Sequence, residues 1–296
     1  MINVANVRAV RAGFGVRTLK ATRTFIRRKP LGAIGGGIII FMILIAVFAP
    51  FVTAHDPLLM DFTGDLETPS LNHPMGTDTW GRDVWSRIAY GARISLYVGL
   101  LSVLTGSVGG ALIGLFSAYY GGRVDSVIQR IMDSLMSIPT LILALTIMAA
   151  LGQSLNNVVV AVAIPQIPRA NRVVRSQALS VKESEFALAA RSIGASDVRI
   201  VLQHIAPQCV APWLIIATAA LGTAIIAETS LSFLGLGVPP PDPSWGSMLT
   251  GRVRNYYAVA PWLAIWPGVS ISLAVYGFNL FGDALRDVLD PRLRGT

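Results

Sequence analysis

The sequence predicts an all-α, polytopic membrane protein with about six transmembrane helices, and three observations carry that prediction. Of 296 residues, 53% are hydrophobic and 14% charged, with mean hydropathy +0.60. Soluble domains usually carry about 25% charged residues. The deficit comes in blocks: Leu31 to Ala54, Ile94 to Gly122, Ser134 to Pro168, Ile200 to Ala227 and Asn255 to Gly282 contain no Asp, Glu, Lys or Arg. Each block reaches the roughly 20 residues that a helix needs to cross the hydrocarbon core. The remaining charge is asymmetric along the chain, as membrane topology requires.

Residues 1–30 hold eight basic residues and no acid, which predicts a cytoplasmic tail. The first span is expected at 31–54; it starts late and lacks a small-residue cleavage site, so it reads as a retained anchor. Residues 55–93 follow as an ordered external loop, rich in Pro, Gly, Asp and Thr, with six acids and three arginines. Residues 94–290 form a five-helix core. Its first span, 94–119, places Gly106, Gly110 and Gly114 on one helix face, which allows close helix packing. The next is expected near 131–151, after a turn at Gly121-Gly122.

The run from Ser134 to Pro168 is too long for one crossing, so it is split at a hairpin turn over 152–157. The fourth span is short, because Pro165 and Pro168 interrupt it and Arg169, Arg172 and Arg175 must snorkel to the interface. A charged amphipathic segment, 180–203, leads to the fifth span at 207–232. An external loop over 239–243 then leads to the sixth at 261–282, and 291–296 form a second cytoplasmic tail. This arrangement puts nineteen of the 24 basic residues inside. The chain therefore reads as a multi-pass protein of a bacterial or archaeal cell membrane, the inner membrane if Gram-negative, with both termini cytoplasmic.

Several function classes are excluded at this stage. The positive excess lies at membrane flanks, so no nucleic-acid partner is expected. One cysteine, Cys209, forms neither an internal disulfide nor a metal cluster. His55, His73 and His204 are scattered in the sequence, and no metal site is expected. Lys20, Lys29 and Lys182 have no phosphate-loop context, and no zinc-protease or paired-acid motif is present. The chain is therefore not expected to be an enzyme. A stand-alone secondary transporter would show internal repeats with broken helices, and none is evident.

The charged segment reads Glu185-Phe186-Ala187-Leu188-Ala189-Ala190-Arg191-Ser192-Ile193-Gly194-Ala195-Ser196-Asp197, then His204-Ile205-Ala206-Pro207. The alanine pair, the glycine four residues beyond it and the later proline resemble the EAA loop of binding-protein-dependent ABC importer permeases. The acid usually placed directly before the alanines is Leu188 here, with Glu185 one turn earlier. Three further stretches are similar to the dipeptide, oligopeptide and nickel branch of that family: 76–96 with Gly76-Thr77-Asp78 and Gly81-Arg82-Asp83, 230–246 with Phe233-Leu234-Gly235-Leu236-Gly237, and 278–293 with Phe281-Gly282-Asp283-Ala284-Leu285.

The resemblance spans residues 30–294 and implies a type I ABC importer permease fold. It implies a second homologous permease subunit, two ATPase subunits that bind ATP and Mg, an external solute-binding protein, and no cofactor in this chain. The ATPase-coupling loop would be 183–200, through Glu185, Ala189, Ala190, Arg191, Gly194, Ala195 and Asp197. Gly194 suits a positive-φ turn between two short helices, and Pro207 suits the start of the next span.

Glu228, an acid at membrane depth, is a candidate for the translocation path together with Thr223; alternatively it snorkels or accepts bonds from the following loop. Asp78 and Asp83, beside Arg82 and Arg87, are expected to hold the external loop together and not a metal, and Asp283, Arg286, Asp287 and Asp290 to form pairs within the last helix. The substrate class implied is di- or oligopeptides, with nickel chelates, glutathione or another small solute as the alternative.

Overall fold

The computed structural model describes residues 26–27 and 29–289; most of the basic N-terminal tail and the residues from Asp290 onward lie outside them. Among the described residues the regular secondary structure is helical, apart from one isolated bridge between Thr77 and Asp83, and loops occupy stretches such as 53–83 and 234–246.

Helix α1 (Pro30–Val47) starts on a proline, whose missing N–H is not needed in a first turn. Helix α2 (Val84–Tyr120) has 37 residues, about 55 Å at the α-helical rise. It starts ahead of the uncharged run, inside the stretch expected as loop. Asp83 caps it, with Oδ2 accepting from the Ser86 amide at 2.7 Å. The arginines of its first turns find partners elsewhere. Arg87 donates to the Pro57 carbonyl at 3.1 Å, and Arg93 donates to the Ala46 and Val47 carbonyls at the end of α1.

Helices α3 (Gly122–Met136) and α4 (Thr140–Leu151) meet at 93°. The bend falls at Ile138-Pro139, where the proline ring pushes the preceding residue out of helical conformation. The stretch expected as the third span, 131–151, is therefore broken by a sharp bend and is not one straight helix. Helix α5 (Leu155–Ala163) is capped by Ser154 and passes through a 3₁₀ turn at Ile164–Gln166 into α6 (Ile167–Lys182). The prolines bend the path without ending it. Helix α7 (Glu185–Ser192) is short.

Helix α8 (Asp197–Phe233) runs on through a π turn at Val201–Ile205. Pro207 thus follows that turn within a continuing helix and does not begin the span. The wide turn gives its ring room that an α-helical carbonyl four residues back would deny it. Helix α9 (Trp262–Leu289) closes the described chain.

Four described helices, α1, α2, α8 and α9, are long and apolar enough to cross a membrane, or five crossings if the bent α3–α4 pair is one span. The short apolar run before Arg169, where the fourth span was expected, falls outside that set: α5 has only nine residues, and α6, with sixteen, carries three arginines and a lysine.

Helix α2 is central, packing against α6, α8, α5 and α1, while α9 packs on α1 and α8. The glycine face expected on α2 is the one that meets α5 and α6. A Cβ at Gly106, Gly110 or Gly114 would run into the carbonyl oxygens of Ala163, Ile167 and Asn171. At the other crossing, Gly35 of α1 lies against the Gly277 carbonyl of α9. Lys29 Nζ donates to Asp287 Oδ2 at 2.6 Å, so the start of α1 and the end of α9 lie on one side of the bundle. Asp287 thus reaches another helix instead of pairing within its own.

Candidate functional site

The 183–200 segment is a short helix, a turn and the start of a long helix. Gly194 has φ +82°, a conformation that L side chains rarely adopt. It ends α7 in a Schellman arrangement: Ala195 N donates to Ala190 O at 3.1 Å, and Gly194 N to Arg191 O at 3.0 Å. The expected turn is present.

The alanine pair divides its work. Ala190 is buried against Leu115, Val174, Ile200, Ile205 and Cys209, with Ala195 packed on the same cluster, whereas Ala189 is exposed. Glu185 is exposed in the first turn of α7, where the helix dipole favours an acid. Asp197 accepts from Tyr119 Oη at 2.5 Å and so fastens the turn to the end of α2. Lys182 donates to the Tyr119 carbonyl at 2.7 Å. Arg191 is exposed.

The sequence reading missed what lies between these residues. Phe186, Leu188, Ile193 and Val198 are exposed, Ile193 at 86%. Their signal is apolar residues inside an otherwise polar loop, a pattern easily taken for core positions.

A cavity of about 570 Å³ lies where the α3–α4 bend, the α5–α6 junction and α8 meet. Thr223, Ser107, Gln166 and Arg169 are among its lining residues. Arg172 and Arg175 point elsewhere: Arg175 Nε donates to Asp125 Oδ1 at 2.6 Å, and Arg172 Nη2 to Asp133 Oδ1 at 2.6 Å. These pairs tie α6 to α3. Only Arg169 of the three is left at the cavity.

Glu228 does not line it. The side chain is fully buried and accepts from Ser232 Oγ at 2.8 Å and Ser95 Oγ at 3.2 Å. Ser95 Oγ in turn accepts from the Trp245 amide, and Ser244 Oγ donates to Ser232 Oγ. This knot joins α2, α8 and the loop before α9. The structure thus separates two residues that the sequence reading grouped.

In the loop before α2, Asp78 Oδ1 accepts from the amides of Trp80 and Arg82, and its Oδ2 meets Arg82 and, at 3.6 Å, Arg87. Asp78 and Asp83 do hold this loop together. Two of the three histidines meet, and His204 stays apart, beside Phe186. His55 and His73 stack with centroids 4.5 Å apart, and His73 Nδ1 lies 3.0 Å from Asp83 Oδ1.

Comparison with known proteins adds the family. Residues 110–295 match the model of the binding-protein-dependent transport system inner membrane component. The chain belongs to this permease family. Residues 20–73 also match the N-terminal transmembrane domain of oligopeptide transport permease C. The permease is 43% identical over 269 residues to the dipeptide transport system permease protein DppC of Alkalihalophilus pseudofirmus, covering 91% of this chain and 88% of that one. It is 43% identical over 272 residues to a putative peptide transport system permease protein of Brucella suis, covering 92% and 91%.

The permease is also 43% identical over 270 residues to the glutathione transport system permease protein GsiD of Escherichia coli, covering 91% and 89%. An inward-facing structure of the MetNI methionine ABC transporter superposes with TM-score 0.54 at 18% identity, covering 69% of this chain and 96% of that one. That likeness shows the type I ABC importer permease fold. The permease is thus an all-α membrane component of an ABC transporter.

Proposed function

We propose that this permease forms half of the translocation path of an importer for di- or oligopeptides and receives the power stroke through residues 183–200. It would assemble with a second, homologous permease, two ATPase subunits that bind ATP and Mg, and an external solute-binding protein, with both its own termini in the cytoplasm. The carrying observation is the exposed apolar tip of Phe186, Leu188, Ile193 and Val198, set on a turn that is anchored by Ala190, Ala195 and Asp197. Exposed apolar side chains on an anchored turn suit docking to another protein. The cavity beside Thr223 is the part of the path that this chain contributes, and Arg169 is its charged wall.

Ala189 tests the coupling role, because it is exposed and small. Ala189→Glu places a charge in the docking face without entering the core. The variant is expected at normal membrane levels, with reduced ATPase co-purification and little uptake. Full co-purification and full uptake would remove the coupling role.

Glutathione is the second reading of the substrate, favoured by the equal identity to the glutathione permease. Uptake of labelled dipeptide and of labelled glutathione, in cells where this system is the sole route, separates the two. Uptake of glutathione alone would overturn the peptide assignment.

A further inference from the structure

We propose that His55, His73 and Asp83 form a binding site for a divalent late transition-metal ion, such as Zn²⁺, on the loop face of the permease. One ligand atom from each of the three lies within 4.8 Å of the other two. Around a tetrahedral zinc with bonds of ~2.0–2.1 Å, ligand atoms sit roughly 3.3–3.5 Å apart. His73 Nδ1 and Asp83 Oδ1 are already 3.0 Å apart. The partly exposed His55 must draw closer from within that 4.8 Å limit to complete the set.

The chemistry of the set matches. Two imidazoles and one carboxylate suit zinc, nickel or copper over calcium or magnesium, which prefer all-oxygen sites. Three protein ligands leave a fourth position for water or a group on a bound molecule.

Asp83 is suitably held. Its Oδ2 accepts from the Ser86 amide and hydroxyl at 2.7 Å each, which leaves Oδ1 for the ion. That cap fixes the carboxylate on the first turn of α2 and supplies the outer hydrogen bonds that orient a metal ligand.

Access is open as well. His55 lines a cavity of about 550 Å³ together with Thr53, Asp56, Tyr90 and Arg93. A hydrogen bond between His73 and Asp83 accounts for two of these residues without a metal. It gives no reason for a second imidazole stacked on the first. The ion would join three separate stretches: the chain leaving α1, the loop, and the cap of α2.

The test uses the full-length, detergent-solubilised chain with any polyhistidine tag removed. Zinc affinity is measured by competition with a chromophoric chelator, and Co²⁺ is added in its place to read coordination geometry from the visible spectrum. The site predicts one zinc per chain, a tetrahedral cobalt spectrum, and a thermal midpoint that rises with zinc by mass action.

His55→Gln removes a ligand without touching the Asp83 cap. It should weaken zinc binding at least ~10-fold, the lower end of what loss of even a supporting partner costs a metal site. In chelator its thermal midpoint should match the parent. His73→Gln should weaken binding at least as much. Absence of stoichiometric binding at micromolar zinc would overturn the site, as would equal zinc affinity in His55→Gln and the parent.

Discussion

Gly194 shows how much a single backbone angle can commit a loop to. At φ +82°, with no atom beyond its immediate chain neighbours within 4 Å of where a Cβ would stand, it is strained for any other residue yet open in space. Gly194→Val should therefore cost about 1–2 kcal/mol of local backbone energy and meet no internal clash. The chain should still insert. In our reading of residues 183–200, the altered turn misplaces Ile193 and Val198. Membrane level by immunoblot should be unchanged, while ATPase co-purification and uptake fall; normal uptake would argue against a coupling turn.

Glu228 is the opposite case, closed in space and rich in partners. Glu228→Gln keeps the shape and an acceptor for one serine, so uptake should survive with a small loss of thermal stability. Glu228→Ala abandons two buried hydroxyls, at ~1–3 kcal/mol each, and should lower the thermal midpoint sharply. If Glu228→Gln abolished uptake at normal stability, Glu228 would be a path residue after all.

At the scale of the helix, the α2 glycines separate packing from propensity. Gly109 and Gly110 are neighbours, but a Cβ at Gly109 meets nothing within 4 Å, while one at Gly110 meets the Ile167 carbonyl and Ala170. Gly109→Ala should be neutral or stabilising by up to ~1 kcal/mol through helix propensity alone. Gly110→Val must push α6 away, and overpacking of this kind typically costs ~1–3 kcal/mol or more. Thermal unfolding of the two variants in detergent reads the difference directly; similar midpoints would mean that α2 and α6 are not in close contact.

The regularity of the glycine spacing made this face visible in the sequence. The bend between α3 and α4 and the π turn before Pro207 were not visible, because a proline can start, kink or interrupt a helix. Which of these occurs depends on what packs beside it.

For the whole molecule, the Lys29–Asp287 ion pair places the two ends of the bundle together, and the distribution of basic residues argues that this side is the cytoplasm. Single cysteines at positions 20 and 290, in a background lacking Cys209, should resist an impermeant thiol reagent in intact cells. One at position 65 should react. Labelling at position 20 from outside would invert the orientation. The purified chain alone should neither hydrolyse ATP nor transport, and ATP-dependent uptake by it in vesicles would contradict the division of labour proposed above.

Read by itself, the sequence determined the membrane class, the approximate places of the apolar spans, the glycine seam on α2 and the turn at Gly194. These follow from solvation and local backbone geometry. A long charge-free apolar run favours hydrocarbon over water wherever it sits in the fold, and glycine tolerates the turn that L side chains rarely adopt. Helix ends were less legible. Val84 starts its helix ten residues before the uncharged run and Asp197 ten before the expected fifth span, since Arg87 and Arg93 find carbonyl partners and charged turns can project beyond the hydrocarbon.

Only the tertiary structure decided which polar residues meet. It took Glu228 into a serine knot and left Thr223 and Arg169 on the cavity. It also brought His55 against His73 and Asp83 across eighteen and twenty-eight positions of chain. Such meetings depend on how the loop folds back over the helix ends. No periodicity in the sequence encodes that path.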